Sequence, residues 1–216
     1  MPLPVAPRAS DDNMFSKPAI QPSCFNSRLL PDLFDLKQLG EGAPIRVADF
    51  GPANGDTIKF LSQFNCRLFV IDIKEDFTRI NGEVENAEDI GDEQILAMFK
   101  AALRQLSDTQ VDICLFWDMF NYLEPRVLGL FLQALAPHLS ARFRGHGFAV
   151  LNKGTPLHEQ TYGIINSELL STQSRGRGEL PHRHSQSVIN GATPGIAVRQ
   201  GVLREDGRLE ILLHKG

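Results

Sequence analysis

Several features that mark special classes of protein are scarce or missing in this chain of 216 residues. No apolar run approaches ~18 residues, and the amino terminus has no continuous apolar segment, so the sequence predicts neither a membrane span nor export. The three cysteines show no metal-binding spacing, and two of them fall in or beside apolar strands, which predicts buried thiols in a reducing cytoplasm. The net charge of −4 argues against a protein-wide attraction to nucleic acid.

The composition is that of an ordinary globular protein. Hydrophobic residues make up 42% and charged residues 22% of the chain, whose length suits a single domain, expected over residues 27–216. Residues 1–26 contain five prolines and no helical or strand periodicity, so they are predicted to form a flexible N-terminal arm, with a folded lid or a partner-binding strap as alternatives. After Ser27, apolar residues at helical spacing up to Leu39 predict a helix that stops at Gly40.

A strand, a glycine-marked turn and a helix follow one another early in this domain. The apolar strand of residues 45–50 leads into Gly51 and Gly55, and an apolar-periodic helix follows. Glycines let a ligand approach the backbone closely, and the first turn of the helix presents free N–H groups to it. The next strand, residues 67–71, ends on Asp72, which lies 21 residues beyond Gly51. An acid roughly 20 residues beyond the first glycine binds ribose hydroxyls in βαβ nucleotide sites, so a nucleoside ligand is predicted.

Two common nucleotide sites are disfavoured by what the turn lacks. In the dinucleotide pattern G-x-G-x-x-G counted from Gly51, Ala53 and Asp56 stand where the second and third glycines are needed. Asp56 would also put a carboxylate where a pyrophosphate lies. The P-loop pattern fails as well, because no Gly-Lys-Ser/Thr follows.

Residues 49–55 resemble motif I, D-x-G-x-x-x-G, of the class I, Rossmann-like S-adenosylmethionine-dependent methyltransferases. Asp72 matches the ribose acid of that family, and residues 111–118 with 121–123 are similar to its fourth strand and post-strand motif. The resemblance covers residues 45–216. It implies an α/β fold with a central, mostly parallel seven-stranded sheet, a C-terminal antiparallel hairpin and helices on both faces.

The resemblance also implies which residues hold S-adenosyl-L-methionine. The expected cofactor-binding residues are Asp49, Gly51, Pro52, Ala53, Asn54, Gly55, Asp72, Ile73, Asp89, Ile90, Trp117 and Asp118. Asp89 and Ile90 end a predicted third strand and are similar to the family's adenine contact, although a solvated acidic loop explains this stretch equally well. Trp117, the single tryptophan, is either a shelf for the ligand or a lid on the core.

The second half of the chain supplies a buried strand and a loop of unusual composition. Residues 111–117 are nearly all apolar, as a central parallel strand should be. Within an insertion or substrate loop of residues 155–192, a short helix is predicted around residues 159–170. Residues 174–184 form a basic loop with three arginines and two histidines, which either binds an anionic or polar substrate or is a solvated insertion. Two apolar strands joined at Asp206-Gly207 predict the closing hairpin.

The resemblance implies methyl transfer from S-adenosylmethionine to a small-molecule or protein acceptor. A sulfonium makes the methyl group electrophilic, so the protein has to align the acceptor, exclude water and remove a proton. The candidate catalytic bases are His182, His184, His158 and Asp118. No metal is predicted, because the His-x-His pair has no third ligand nearby. The Asp/Asn-Pro-Pro-Tyr tetrapeptide of base-amino methyltransferases is absent after the fourth strand, which disfavours a nucleic-acid base as acceptor.

Two other classes of protein stay open at this point. Pro52 and Ala53 depart from the commoner glycine-rich loop, and Pro52 removes an N–H donor, which favours a methyltransferase-like protein that binds or regulates without catalysis. An NAD-dependent oxidoreductase would require glycines at positions 53 and 56. The sequence names neither the methyl acceptor nor the oligomeric state.

Overall fold

The computed structural model describes residues 23–35, 43–86, 90–151, 160–174, 182–192 and 195–216. The strands in these ranges are β1 (Ser23–Asn26), β2 (Ile45–Asp49), β3 (Cys66–Val70), β4 (Val111–Trp117), β5 (Leu139–Val150), β6 (Gln160–Ile164), β7 (Leu169–Ser174), β8 (Ile196–Leu203) and β9 (Arg208–Lys215). The α-helices are α1 (Leu30–Leu33), α2 (Gly55–Leu61), α3 (Lys74–Asn86), α4 (Asp92–Ala102), α5 (Pro125–Leu135) and α6 (Gln186–Ala192).

Six of these strands form one large sheet in the order β3-β2-β4-β5-β9-β8. β2 is parallel to β3 and β4, and β4 is parallel to β5, whereas β9 is antiparallel to both β5 and β8. The predicted α/β fold, with a mostly parallel sheet and a C-terminal antiparallel hairpin, is confirmed. Because the parallel strands run the same way, their carboxyl ends meet along one edge of the sheet, where ligands bind in such folds.

The predicted third strand is missing from the described part of the chain, which has six strands in this sheet rather than seven. Lys74–Asn86, which lead up to the predicted end of this strand, form α3. Ile90 lies outside any strand, and residues 87–89 lie outside the described residues. The helix forms because Phe77 and Ile80, three residues apart, both bury their side chains in the core. Residues three apart share one face of a helix but point to opposite faces of a strand.

Helices cover both faces of the large sheet, as predicted. Along β4, Cys114 and Phe116 pack in the hydrophobic cluster that contains α3, α4 and α5, whereas Ile113 and Leu115 pack in the cluster that contains α1 and α2. Every residue of β4 is buried, which explains why this strand is apolar almost throughout. None of the described helices is long and apolar enough to cross a membrane.

A second, three-stranded sheet has the antiparallel order β1-β7-β6. The prediction of a short helix around residues 159–170 was wrong, because this stretch forms the β6-β7 hairpin. The side-chain oxygen of Asn166 fixes its turn by accepting hydrogen bonds from the amides of Glu168 and Leu169, each at 2.9 Å. Residues 23–26, which were assigned to the N-terminal arm, pair with β7 as β1, and residues 1–22 lie outside the described residues.

The helix predicted after Ser27 begins where the sequence placed it. The hydroxyl oxygen of Ser27 accepts a hydrogen bond from the amide of Leu30 at 2.9 Å, at the start of α1. The structure describes this helix over Leu30–Leu33, while residues 36–42, which include the predicted end of the helix, lie outside the described residues.

A buried carboxylate ties this N-terminal segment to the large sheet. Glu210 of β9 accepts hydrogen bonds from the hydroxyl of Ser27 and from the amides of Arg28 and Leu29, at 3.1 and 3.3 Å for the amides. Its Oε1 also lies 2.9 Å from Nε2 of His146 on β5. Burial opposes ionisation of Glu210, but the hydrogen bonds from His146, Ser27 and Arg28 outweigh it and lower the pKa to about 2.

Candidate functional site

A cavity of about 540 Å³, including the space at its open mouth, lies at the carboxyl edge of β2, β3 and β4. The ends of these three strands and the loops after them contribute Gly51 and Pro52, Asp72 and Ile73, and Trp117 and Asp118. Six of the residues predicted from the sequence therefore share one cavity. They meet because parallel strands deliver their C-terminal residues to the same edge of the sheet.

The rest of the glycine loop serves the helix that follows it. The side-chain oxygen of Asn54 accepts hydrogen bonds from the amides of Asp56 and Thr57, at 2.9 and 3.4 Å, and so caps α2. Gly55 is the first residue of α2, and a Cβ added there would meet nothing within 4 Å. Neither these residues nor Ala53 belongs to the cavity lining.

Of the two residues predicted to contact adenine, the structure describes Ile90 alone, and Ile90 is not brought to the cavity. Ile90 is buried in the hydrophobic cluster of α3, α4 and α5, and its carbonyl oxygen accepts a hydrogen bond from Arg126 at 2.9 Å. It does not belong to the cavity lining. Asp89 lies outside the described residues.

Asp49, the last residue of β2, is a buried and internally bonded acid. Its Oδ1 accepts hydrogen bonds from the amide of Gly51 at 3.0 Å and from the indole Nε1 of Trp117 at 2.6 Å. Burial raises the pKa of Asp49 to about 6, although both hydrogen bonds act to lower it. The carboxyl group that the family resemblance assigns to the cofactor is thus already partnered within the chain.

The indole of Trp117 covers Gly51. A Cβ added at Gly51 would lie 2.9 Å from Cδ1 and 3.0 Å from Nε1 of Trp117, which is closer than such atoms pack. The glycine is therefore needed for the approach of the chain's own indole. Trp117 lines the cavity and is only 4% exposed, so it is both a wall of the cavity and a lid on the core.

Two residues of the cavity have backbone conformations that are unusual for side-chain-bearing residues. Asp72 has a φ of 38° and Trp117 a φ of 52°, and they are the non-glycine residues with positive φ in the described ranges. Such conformations cost on the order of 1–3 kcal/mol each and persist where the surrounding structure fixes them. Backbone strain is thus concentrated where β3 and β4 end at the cavity.

Asp118 is a buried acid that titrates near neutral pH. Burial raises its pKa to about 7, while its own amide, Arg208 and Tyr162 act to lower it. The hydroxyl of Tyr162 donates to Oδ2 of Asp118 at 3.4 Å and accepts a hydrogen bond from Arg208 at 2.7 Å. A carboxyl group with this pKa can take up or release a proton under ordinary conditions.

Sequence reasoning missed the part of the lining that the small sheet supplies. Gln160, Thr161 and Tyr162 of β6 all line the cavity. The ring of Tyr162 stacks on that of Trp117, with centroids 5.3 Å apart, and on that of Phe148, with centroids 5.4 Å apart. The available signal was a run of β-branched and aromatic residues before an Asn-Ser turn, which is typical of a strand that enters a hairpin.

The remaining lining is mostly aromatic. It consists of Phe50, Lys74, Phe77, Phe116, Met119 and Tyr122. The ammonium of Lys74 lies 6.0 Å from the centre of the Tyr122 ring. Lys74 and Asp72 are both exposed, so the cavity combines apolar walls with one cation and one carboxylate next to solvent.

His182 and His184, two of the histidines predicted as catalytic bases, do not belong to the cavity lining. His184 is fully buried, and its Nε2 lies 2.7 Å from the carbonyl oxygen of Leu123. Burial lowers the pKa of both His182 and His184. His158 and the loop residues 175–181 lie outside the described residues. Among the three predicted bases that the structure describes, Asp118 alone lines the cavity.

No group of three or more His, Cys, Asp or Glu side chains within the described ranges is arranged to hold a metal ion. The lining of the cavity offers carboxyl, hydroxyl and amine groups.

No family model matches this chain, and no curated protein sequence matches it. Distant likenesses appear among solved structures. A Burkholderia thailandensis 1,6-didemethyltoxoflavin-N1-methyltransferase, with bound 1,6-didemethyltoxoflavin and S-adenosylhomocysteine, is 12% identical with a TM-score of 0.45, over 87% of this chain and 77% of its own. The pyocyanin biosynthetic protein PhzM is 13% identical with a TM-score of 0.43, over 85% of this chain and 54% of its own.

A third likeness is the glycopeptide N-methyltransferase MtfA, complexed with S-adenosyl-L-methionine. It is 9% identical to this chain with a TM-score of 0.40, and the match covers 87% of this chain and 94% of MtfA. With identities and TM-scores this low, the likenesses do not define what this chain binds or does.

The chain itself has a Rossmann-like α/β fold. Its parallel strands, its antiparallel C-terminal pair, the glycine loop after β2 and the acid after β3 together carry that assignment. In folds of this kind a ligand binds outside the carboxyl ends of the strands, which is where the cavity lies.

Proposed function

We propose that this chain binds S-adenosylmethionine in the cavity and transfers its methyl group to a small-molecule or protein acceptor. The observation that carries the proposal is the meeting of Gly51, Asp72 and Asp118 in one cavity at the carboxyl edge of three parallel strands. Each follows a different strand, and each had been predicted from the sequence pattern alone. Fold and pattern therefore point to the same site.

The residues present fit the adenosine half of the cofactor. Asp72 is exposed at the cavity, so its carboxylate is free of burial costs and can accept hydrogen bonds from the two ribose hydroxyls. Ile73, Phe77 and Met119 are buried and offer apolar surface to a flat ring such as adenine. This division into one acid and an apolar wall suits a nucleoside better than a pyrophosphate.

The bound sulfonium would supply an electrophilic methyl group, and the chain's own residues would do the rest. The aromatic lining excludes water from the transfer, and the walls hold the acceptor in line with the methyl group. Transfer would break the carbon–sulfur bond of the sulfonium and leave a neutral thioether, and an acceptor hydroxyl or protonated amine would have to give up a proton. Asp118, with its pKa of about 7, is the carboxyl of the lining suited to accept it.

A second function is favoured by one specific observation. Asp49 already accepts a hydrogen bond from Trp117, and the indole of Trp117 covers Gly51, so part of the expected cofactor surface is filled by the chain itself. A methyltransferase-like protein that binds a nucleoside, or a partner, without catalysis would have this arrangement. Turnover separates this function from the first, since both allow ligand binding.

Calorimetric titration with S-adenosylhomocysteine, S-adenosylmethionine and NAD tests the proposal. We expect the first two ligands to bind and NAD to give no heat of binding. Asp72→Ala should weaken S-adenosylhomocysteine binding about ten- to a hundredfold, the scale of a lost hydrogen bond to a charged group. Glu75→Ala, which removes an exposed acid from the first turn of α3, serves as the matched control and should bind like wild type.

Three outcomes would contradict parts of this proposal. Saturable NAD binding without a response to S-adenosylhomocysteine would exclude the cofactor. Unchanged affinity in a folded Asp72→Ala variant would remove Asp72 from the site. Binding of S-adenosylmethionine without turnover over a broad panel of acceptors would favour the non-catalytic function.

A further inference from the structure

A second cleft, of about 490 Å³ including the space at its mouth, lies on the large sheet away from the cavity described above. It is formed by the first half of β5, the end of β9 and the middle of β8, and its lining shares no residue with that cavity. Arg144 of β5 pairs with Ile113, near the start of β4, which puts the cleft toward the amino ends of the parallel strands. The methyl-transfer site lies at their carboxyl ends, so the two are separate.

The register of three strands brings basic side chains together in this cleft. Arg144 on β5 is directly opposite His214 on β9, and Arg142 is two residues before Arg144, so that the two arginines share one face of β5. On β8 the pairing shifts between Val198 and Gln200, which leaves Arg199 as the extra residue of a β-bulge. A bulge re-aims a side chain, and Arg199 lines the same cleft as the other three.

These basic groups act on one another. Burial, Arg199 and Arg144 together lower the pKa of His214, and Arg199 also acts to lower that of Arg144. Acids stand nearby but not in the described lining: Asp112 is bonded to Arg142, and Asp32 and Asp35 act on Arg144. The cleft thus presents positive charges whose mutual repulsion an anion would relieve.

Two side chains in the cleft have a polar group that is available to a ligand. Nε2 of His214 is buried and has no hydrogen-bond partner among the described residues. Arg199 is exposed and forms no ion pair with a described acid. Buried polar atoms are normally satisfied, so an unpaired ring nitrogen beside arginines leaves a position for a hydrogen-bond partner from outside the described chain. Lys215, which also lines the cleft, adds a further positive charge.

We propose that this cleft binds the phosphate group of a small molecule. A phosphate offers several acceptor oxygens, and guanidinium groups hold it with two parallel hydrogen bonds. The site is a concave cleft rather than a long basic surface, and the chain as a whole carries a net charge of −4, which favours a compact anion over a nucleic acid. The proposal stands independently of methyl transfer.

Calorimetric titration of the full chain with inorganic phosphate and with glycerol 3-phosphate, at constant ionic strength, tests this site. We expect saturable binding of at least one probe, and binding about ten- to a hundredfold weaker in Arg199→Ala, because one charge-assisted contact is lost. Arg67→Ala is the control, since it removes an exposed arginine from β3, at the opposite edge of the sheet, and should bind like wild type.

An NMR titration of the histidine rings gives a second readout. Phosphate should raise the pKa of His214, because an anion favours the charged imidazolium, and His214→Gln identifies its signal. Tighter binding of glycerol 3-phosphate than of inorganic phosphate would point to a phosphorylated metabolite, and equal binding to phosphate itself, both in support of the site. The proposal would be overturned if neither probe bound, or if Arg199→Ala and Arg67→Ala lost the same amount of affinity.

Discussion

The two sheets contribute to the cavity in different ways. The large sheet supplies Asp72 and Asp118 directly after single strands, so each residue is near its own strand in sequence. The small sheet supplies Tyr162 through β6, which pairs with β7, which in turn pairs with β1 near the start of the chain. The hydroxyls of Ser23 and Thr172 meet at 2.7 Å across 149 positions. The large-sheet wall thus consists of residues that local sequence patterns identify, whereas the small-sheet wall depends on pairing between segments far apart in the chain.

The small sheet is attached to the helix that follows the glycine loop. The hydroxyl of Ser171 donates to Asp56 at 2.7 Å, and the amide of Ile164 donates to the hydroxyl of Thr57 at 3.1 Å. Asp56 is the residue whose carboxylate breaks the dinucleotide pattern. The carboxylate of Asp56 accepts a hydrogen bond from the small sheet, so this departure from the dinucleotide motif has a structural role.

The largest expected effect comes from removing the anchor of the N-terminal segment. Glu210→Ala should lower the free energy of unfolding by about 3–5 kcal/mol, because it leaves His146 and two backbone amides buried without their partner. Urea unfolding followed by circular dichroism measures the loss. Glu205→Ala, which removes an exposed acid from the β8-β9 turn, is the control. A loss below about 1 kcal/mol would show that the anchor contributes little.

The same buried carboxylate makes the stability of the protein depend on pH in the acid range. The pKa of Glu210 falls from 4.5 to about 2 on folding, so its contribution to stability is present above pH 4.5 and is lost as the pH falls through 2. Wild-type stability should therefore drop in that window, and the drop should be smaller in Glu210→Ala. An equal drop in both proteins would assign it to other carboxylates.

The large-sheet wall was predictable because its signals are short-range. A strand, a glycine loop and an acid some twenty residues later identify Gly51 and Asp72 without any knowledge of packing. The role of Asn54 as a helix cap was not foreseen, although Asn is a common residue at that position. The family pattern names loop positions but does not say which side chain turns toward the ligand and which toward the helix.

The small-sheet wall was not predictable from the same signals. β1 has four residues and sits in a proline-rich stretch, so its strand character appears only when β7 is beside it. The hydrogen bond between Asp49 and Trp117 likewise joins residues 68 apart, and Trp117 has a positive φ. Contacts of this kind are decided by tertiary packing, which overrides local propensity.

A smaller effect is expected where the two walls meet, at Asp118. The pKa values of Asp118 and Asp49 rise from 3.8 to about 7 and about 6 on folding. Their contribution to stability is therefore fully present below pH 3.8 and is lost as the pH rises through 6 and 7. Asp118→Asn, which is neutral at every pH, should reduce the fall in unfolding free energy between pH 4 and 7 by on the order of 2 kcal/mol.

Urea titrations of wild type and Asp118→Asn at several pH values between 4 and 7 measure this difference. Asp108→Asn, at an exposed position, is the matched control and should keep the wild-type pH dependence. Parallel curves for wild type and Asp118→Asn would mean that Asp118 ionises in the folded chain much as it does in the unfolded one.

The smallest expected effect concerns the indole of Trp117, which packs over Gly51 at the cavity. In Trp117→Phe an aromatic ring can still stack on Tyr162, but the N–H that holds Asp49 is lost, so Asp49 becomes available to a ligand. We expect S-adenosylhomocysteine to bind this variant at least as tightly as it binds wild type. The gain in affinity should be at most about tenfold, which corresponds to one additional hydrogen bond. Because Trp117 is the single tryptophan, its fluorescence in wild type should also change when the ligand binds. Tenfold weaker binding by Trp117→Phe would show instead that the indole is part of the binding surface.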